Sequence, residues 1–352
     1  MTSQITSLVE FFEQTGIKFR IFDMGRRVSS ISKQQFFAFE QGKQPYPMPL
    51  QLQAWIGILG WPGEDTSKHF IWFLKMPLDE SGNINYAARD DLLHRLVQIA
   101  EAGLQGDSGP DAQQSMEDNP YGFKPNDDRM AVFHAKALKS LAQPASQFYR
   151  HTQRYFSGQE GWDQWSSVGM QGIADMVVRL EEEQNATIIS KAIPQLPLPP
   201  LEALAKCLEN EAIPTSISEA LVQRVETELK QQEPELAVVS LCIRAMSCAP
   251  ATGLRQQLLE KILQTPMATS VDLLVSIAGR AWEDLKQAHI RLLFLEALAN
   301  NPAGQEVFNK LMADLFFIPG MREELMQTLR EPERSDTLAQ AIGQFFAAIR
   351  SE

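Results

Sequence analysis

The chain has 352 residues, 44% of them hydrophobic, which is enough to bury a large core and long enough that two domains are expected. Its formal net charge of -12 and pI ≈ 5.0 exclude a general nucleic-acid or anionic-membrane binder, because either needs a positive field to recruit its partner. Three cysteines, Cys207, Cys242 and Cys248, are too few to staple a secreted fold of this size; they point to a reducing cytoplasm and read as buried small hydrophobes, with no metal site and no cofactor.

The N-terminal stretch has no positive run ahead of its apolar positions and carries Glu10 and Glu13 among them, so it is not read as a signal peptide. No segment approaches the roughly 18 uninterrupted apolar residues of a membrane-spanning helix, and no membrane partner is expected. Ile5, Leu8, Val9 and Phe12 fall at helical spacing, with Gly16 as terminator. Lys18 to Ser32 is β-rich at both ends around Asp23-Met24-Gly25, which predicts a strand bent at Gly25 or a hairpin there. Lys33 to Gly42 predicts a short helix capped by Ser32. Ala54 to Trp61 and His69 to Met76, separated by a turn-forming PGEDTS, predict adjacent antiparallel strands, and Tyr86 to Ala102 a helix that covers them. Residues 1–102 thus read as a small α+β domain.

Gly103 to Asp128 is poor in large apolar residues and rich in Gly, Pro, Asp and Gln, and reads as a linker. Its Gly106-Asp107-Ser108-Gly109-Pro110 is similar to the nucleophile motif of trypsin-like proteases, but a pentapeptide in a linker followed by helices is not that fold. Residues 129–193 predict a helical connecting region. Pro194 to Pro200 then reads as an extended spacer into residues 194–352, an all-α region resembling degenerate HEAT-like repeats, an α-solenoid. Three passages carry that pattern, each broken at a proline: Pro214, Pro250 and Pro302. Their aligned alanines, Ala203, Ala245 and Ala297, lie 42 and then 52 residues apart, and Leu273 opens a further first-helix copy.

Phosphate-loop and HExxH patterns are absent, and His69, His94, His134, His151 and His289 are scattered. Asp90-Asp91 and Asp127-Asp128 sit near predicted helix N-termini, where negative charge meets the helix dipole. Two surfaces are candidates for a protein partner. The first is basic: Lys18, Arg20, Arg26, Arg27, Lys33 and Lys43 against Asp23 and Glu40 give +4 locally, with Arg26 and Arg27 placed to fork onto phosphate or a partner's carboxylates; its competing reading is ion pairs with the chain's own acidic surface. The second interleaves rings with arginines: Phe148, Arg150, His151, Arg154, Tyr155, Trp162 and Trp165. Its competing reading is helix-packing core.

Around Phe19 to Ser32 the sequence resembles a family of about this length, associated with gammaproteobacteria and known as a domain of unknown function, and the resemblance spans nearly the whole chain. It implies a bacterial cytoplasmic protein and carries over no activity. The combined expectation is a non-enzymatic interaction scaffold or adaptor. The alternatives are an enzyme with its site between the domains, where His134, His151, Glu160 and Asp163 would be tested first, and an RNA-associated factor using the Arg26 patch.

Overall fold

The computed structural model describes residues 5–104, 119–328 and 330–351. The chain divides into two compact units, residues 1–129 with 317–319, and residues 130–316 with 320–352.

In the first unit, helix α1 (Leu8–Gln14) is capped by Ser7, whose hydroxyl accepts from the Glu10 N–H at 3.0 Å. Strand β1 (Ile17–Asp23) turns back through Met24 to Val28 into β2 (Ser29–Ile31), so the stretch around Gly25 is a hairpin. Helix α2 (Lys33–Glu40) starts at Ser32, as expected, and β3 (Gln53–Pro62) and β4 (Phe70–Pro77) pair antiparallel. The sheet order is β2-β1-β3-β4. Helix α3 (Tyr86–Leu104) follows. Alternation sends Phe19, Ile21, Ala54, Ile56, Ile58, Leu74 and Met76 to one face, where they meet Phe12, Phe36, Phe39, Leu92 and Leu96 of the helices in a single core. Gly60 lies opposite Phe70, and a Cβ there would stand 2.2 Å from that ring, so the pair admits no larger residue.

Most of the segment read as a linker, including the Gly106 to Pro110 pentapeptide, lies outside the described residues. Its described end is bonded to the β4 edge: Lys75 N–H donates to the Tyr121 carbonyl at 2.7 Å, and Phe123 N–H to that of Phe73 at 3.2 Å. The Phe123 ring stands edge-on to Trp55 at 4.9 Å.

The second unit is helical among its described residues. Its helices are α4 (Asp127–Ser140, beginning in the first unit), α5 (Tyr149–Phe156), α6 (Met170–Val178), α7 (Asn185–Ala192), α8 (Leu198–Leu208), α9 (Thr215–Glu228) and α10 (Leu236–Met246). They continue as α11 (Thr252–Leu263), α12 (Val271–Arg280), α13 (Ala288–Ala299), α14 (Gln305–Phe316), α15 (Met321–Thr328) and α16 (Asp336–Ser351). From α5 to α15 each helix packs on the second one after it, α6 on α8, α8 on α10, α10 on α12 and α12 on α14, with α5, α7, α9, α11, α13 and α15 in a parallel series. Two layers result.

Two details differ from the sequence expectation. Leu198 to Pro200 is the first turn of α8 rather than part of an extended spacer, because a first helical turn needs no N–H from proline. The third repeat passage is also out of phase. First-layer helices begin at residues 198, 236, 271 and 305, second-layer helices at 215, 252, 288 and 321, so successive starts lie 33 to 38 residues apart. The break at Pro302 separates a second-layer helix from the next first-layer one, whereas Pro214 and Pro250 break within a pair. The 52-residue interval from Ala245 to Ala297 therefore runs from a first-layer helix to a second-layer one.

Arginines tie successive helices together. Arg255 and Arg291 both occupy the fourth position of their helices. Arg255 donates to Ala249 O and Asp284 Oδ2, each at 2.6 Å. Arg291, on α13, is 2% exposed and donates to Leu285 O (2.8 Å), Lys286 O (3.0 Å), Glu324 Oε2 (2.9 Å) and Thr328 Oγ1 (2.5 Å). In the first layer the Glu209 carboxylate receives both Arg244 nitrogens at 2.6 Å and Arg280 at 3.2 Å, joining α8, α10 and α12.

Candidate functional site

The two predicted surfaces have different fates. In the first unit Arg26 and Arg27 are buried, at 2% and 7% exposure, instead of facing a partner. Arg26 Nε donates to Pro49 O at 2.8 Å. The buried Asp23 carboxylate accepts the Arg27 backbone N–H at 3.1 Å and the Tyr46 hydroxyl at 2.8 Å, and Arg129 reaches the Met24 and Gly25 carbonyls. The hairpin is thus held by its own charges, a role adjacent arginines share with surface patches and that sequence cannot separate. Burial pushes the Asp23 carboxyl up to about 6, against the lowering pull of the Arg27 N–H. Lys33 lies over the Phe19 ring at 4.1 Å, and Lys18 pairs with Glu64.

The second surface is built on α5. Its register follows from packing: Gly172 is where α6 crosses α5, and a Cβ at that position would lie 2.1 Å from Thr152 Oγ1. The buried side carries Tyr149, Thr152, Tyr155 and Phe156. Tyr155 is therefore core: its hydroxyl donates to Trp162 O at 3.1 Å, and its ring meets Trp162 edge-on at 5.8 Å. The helix-packing reading holds for Tyr155, whereas Phe148 is 48% and Trp165 40% exposed.

Between those rings, Arg150, His151 and Arg154 point outward, each matched by a carboxylate. Arg150 Nη2 meets Glu183 Oε1 at 2.8 Å, and Arg154 Nε meets Glu160 Oε1 at 2.9 Å. His151 lies 3.3 Å from Glu160 through Nδ1 and 3.0 Å from Ser167 Oγ through Nε2. Residue types and spacing match a serine–histidine–carboxylate row, but the hydrogen bonds run the other way. Ser167 donates its proton to Gln164 O at 2.8 Å, so it accepts from His151 Nε2–H, while Arg154 Nη2 faces Nδ1 at 3.3 Å and can only donate. Wired this way, the imidazole is a donor toward the hydroxyl and does not activate it as a base. Of the other residues proposed for catalysis, Asp163 is exposed and accepts from Gln164, and His134 on α4 stands edge-on to Phe133.

Beside α5, sequence reasoning missed a polar cluster. Gln153 Nε2 donates to Glu183 Oε2 at 3.0 Å and Asn185 Oδ1 at 2.9 Å, and Asn185 Nδ2 donates to the Tyr149 hydroxyl at 2.8 Å. Below it, buried Asp175 pairs with Arg179 at 3.1 Å and accepts the Ser146 N–H. Two depressions of about 650 and 540 Å³ share Arg150 and Glu183 on their walls. The only sequence signal was the run Glu181-Glu182-Glu183, which does not show which carboxylate turns inward.

Cys207 and Cys242 are buried thiols outside any disulfide, and burial pushes Cys242 up to about 12. Among the described residues no group of His, Cys, Asp and Glu is arranged to hold a metal, and no helix is long and apolar enough to cross a membrane. No curated protein and no solved structure matches the chain. The family model described as "Protein of unknown function (DUF3549)" matches residues 3–346, so over nearly its whole length the chain belongs to that family.

Proposed function

We propose that the protein is a non-enzymatic interaction scaffold or adaptor of the cytoplasm, whose second unit is a degenerate HEAT-like helical repeat that receives another protein. The observation that supports this is the second-neighbour packing of α5 through α15, which lays successive helices side by side and makes an extended surface. The partner face is centred on α5. Exposed Phe148 and Trp165 are its anchors, Arg150, His151 and Arg154 its polar rim, and buried Tyr155, bonded to Trp162 O, holds the helix in place. Aromatic rings bury area at low entropic cost, which suits this role. A benzophenone amino acid at position 165 should crosslink to one partner, whose binding in purified form saturates and falls at least tenfold in Phe148→Ala/Trp165→Ala. Unchanged binding by that double variant removes α5 from the interface.

For the enzyme reading the nearest arrangement is the Ser167, His151 and Glu160 row, whose hydrogen bonds run against activation of the hydroxyl. A fluorophosphonate probe that labels Ser167, with labelling lost in His151→Ala, would favour it over the scaffold. For an RNA-associated role the main obstacle is that Arg26 and Arg27 are buried, with Arg26 Nε donating to Pro49 O.

A further inference from the structure

Glu183 and Gln184 are consecutive non-glycine residues in left-handed backbone, at φ 47 and 60, and Ala142, at φ 55, borders the same depression. They are three of the five non-glycine residues with positive φ among the described residues, so strain is concentrated here. The turn holds the Glu183 carboxylate across the Arg150 guanidinium, both oxygens engaged, although the Arg150 side chain is 68% exposed. An exposed ion pair stabilises a fold little, and with the further hydrogen bond that Glu183 accepts from Gln153 Nε2 at 3.0 Å it offsets less than two left-handed non-glycine residues cost. Stability of this unit therefore does not account for the arrangement.

The groove on either side explains it better. Arg150 stands where the two depressions meet, and Gln143 and Gln147 line one while Gln153 and Gln159 line the other. A glutamine amide is both donor and acceptor, as is each peptide unit of an extended chain. A guanidinium at the midpoint is matched by a single carboxylate, gripped through two parallel hydrogen bonds. Neighbouring Glu182 and Glu183 disfavour a more highly charged anion such as a phosphate.

We propose that this groove binds an extended segment of a partner protein carrying one acidic residue, whose carboxylate replaces Glu183 on Arg150. Glu183 is then an internal competitor that keeps the site filled until the segment arrives. This rests on the scaffold reading and names the chemistry of its ligand.

The probe is a phage-displayed library of random dodecapeptides selected on the full chain. Selected peptides are expected to be enriched in Asp or Glu at one position. They should lose at least tenfold in affinity when that residue is replaced by its amide, and lose as much against Arg150→Ala. Glu183→Gln, which removes the competitor and keeps the shape, should raise their affinity about fivefold. Circular dichroism of both variants checks that the fold is intact. No acidic enrichment, equal binding to Arg150→Ala, or affinity unchanged or lowered by Glu183→Gln each overturns the proposal. A partner crosslinked through position 165, with no acidic consensus from the library, sinks this inference alone and leaves the scaffold reading standing.

Discussion

Glu40 shows how one side chain in this fold ties two elements to pH. Its buried carboxylate accepts the Leu8 and Val9 N–H groups at 2.7 and 3.2 Å, closing the N-terminus of α1 from the far end of α2. Burial raises its carboxyl to about 7, outweighing those two donors and the Arg89 charge, while Glu10 adds to the rise. A folded-state value above the unfolded one means the folded form binds the proton more tightly. The stabilisation is therefore complete below the unfolded value of 4.5 and is lost as pH rises through about 7. Integrated over that interval the loss is on the order of 3 kcal/mol. In Glu40→Gln, urea unfolding between pH 5 and 8 should show a flatter pH dependence than the parent; an unchanged slope would locate the effect elsewhere, with Asp23 the next candidate. Arg291 is the second residue to test. Removing it strands the Leu285 and Lys286 carbonyls and the Thr328 hydroxyl beside a half-buried Glu324, so Arg291→Met should cost about 1–3 kcal/mol, as leaving buried acceptors unsatisfied does. Lysine cannot reproduce the forked geometry, and Arg291→Lys should recover less than half of that loss in thermal unfolding.

Periodicity carried most of the element-level reading, because a two-residue alternation and a three-to-four-residue stripe leave different marks on a sequence. The strands of the first unit and Leu295 and Leu298 of α13 were legible for that reason, and both leucines are fully buried. What periodicity could not show is which layer a helix joins, since prolines break the chain both within and between pairs. Nor could it show that Arg26, Arg27 and Arg291 are buried, because a charge on an amphipathic pattern reads as solvent-facing until its carbonyl partners are located. Glu183 needed a left-handed turn that no glycine announces. Leu295→Ala should cost about 2–5 kcal/mol through lost transfer energy and a residual cavity. Hydrogen exchange should quicken in α13 and in the helices it packs on, α11, α15 and α16, with β1 to β4 unaffected. Uniform loosening of the chain would show a single cooperative block.

For the whole molecule, the two units make separate cores, one a sheet under three helices and the other a stack of helices. Ellipticity at 222 nm is dominated by the second, so Leu295→Ala should lower the denaturation midpoint seen in ellipticity. Amide exchange in the first unit's strands should keep its parent midpoint. If both midpoints fall together, the units unfold as one.

The alternation of layers makes chain length in the second unit a matter of parity. Removing one pair, such as 236–270, returns α12 to the layer it already occupies and lets α8 meet a helix of the right side. Removing only 236–251 would send every later helix to the opposite layer, turning buried faces outward and deleting Ala249, whose carbonyl Arg255 binds. The region can thus lengthen or shorten in steps of two helices and is closed to steps of one, a constraint on gene duplication and deletion written into its packing.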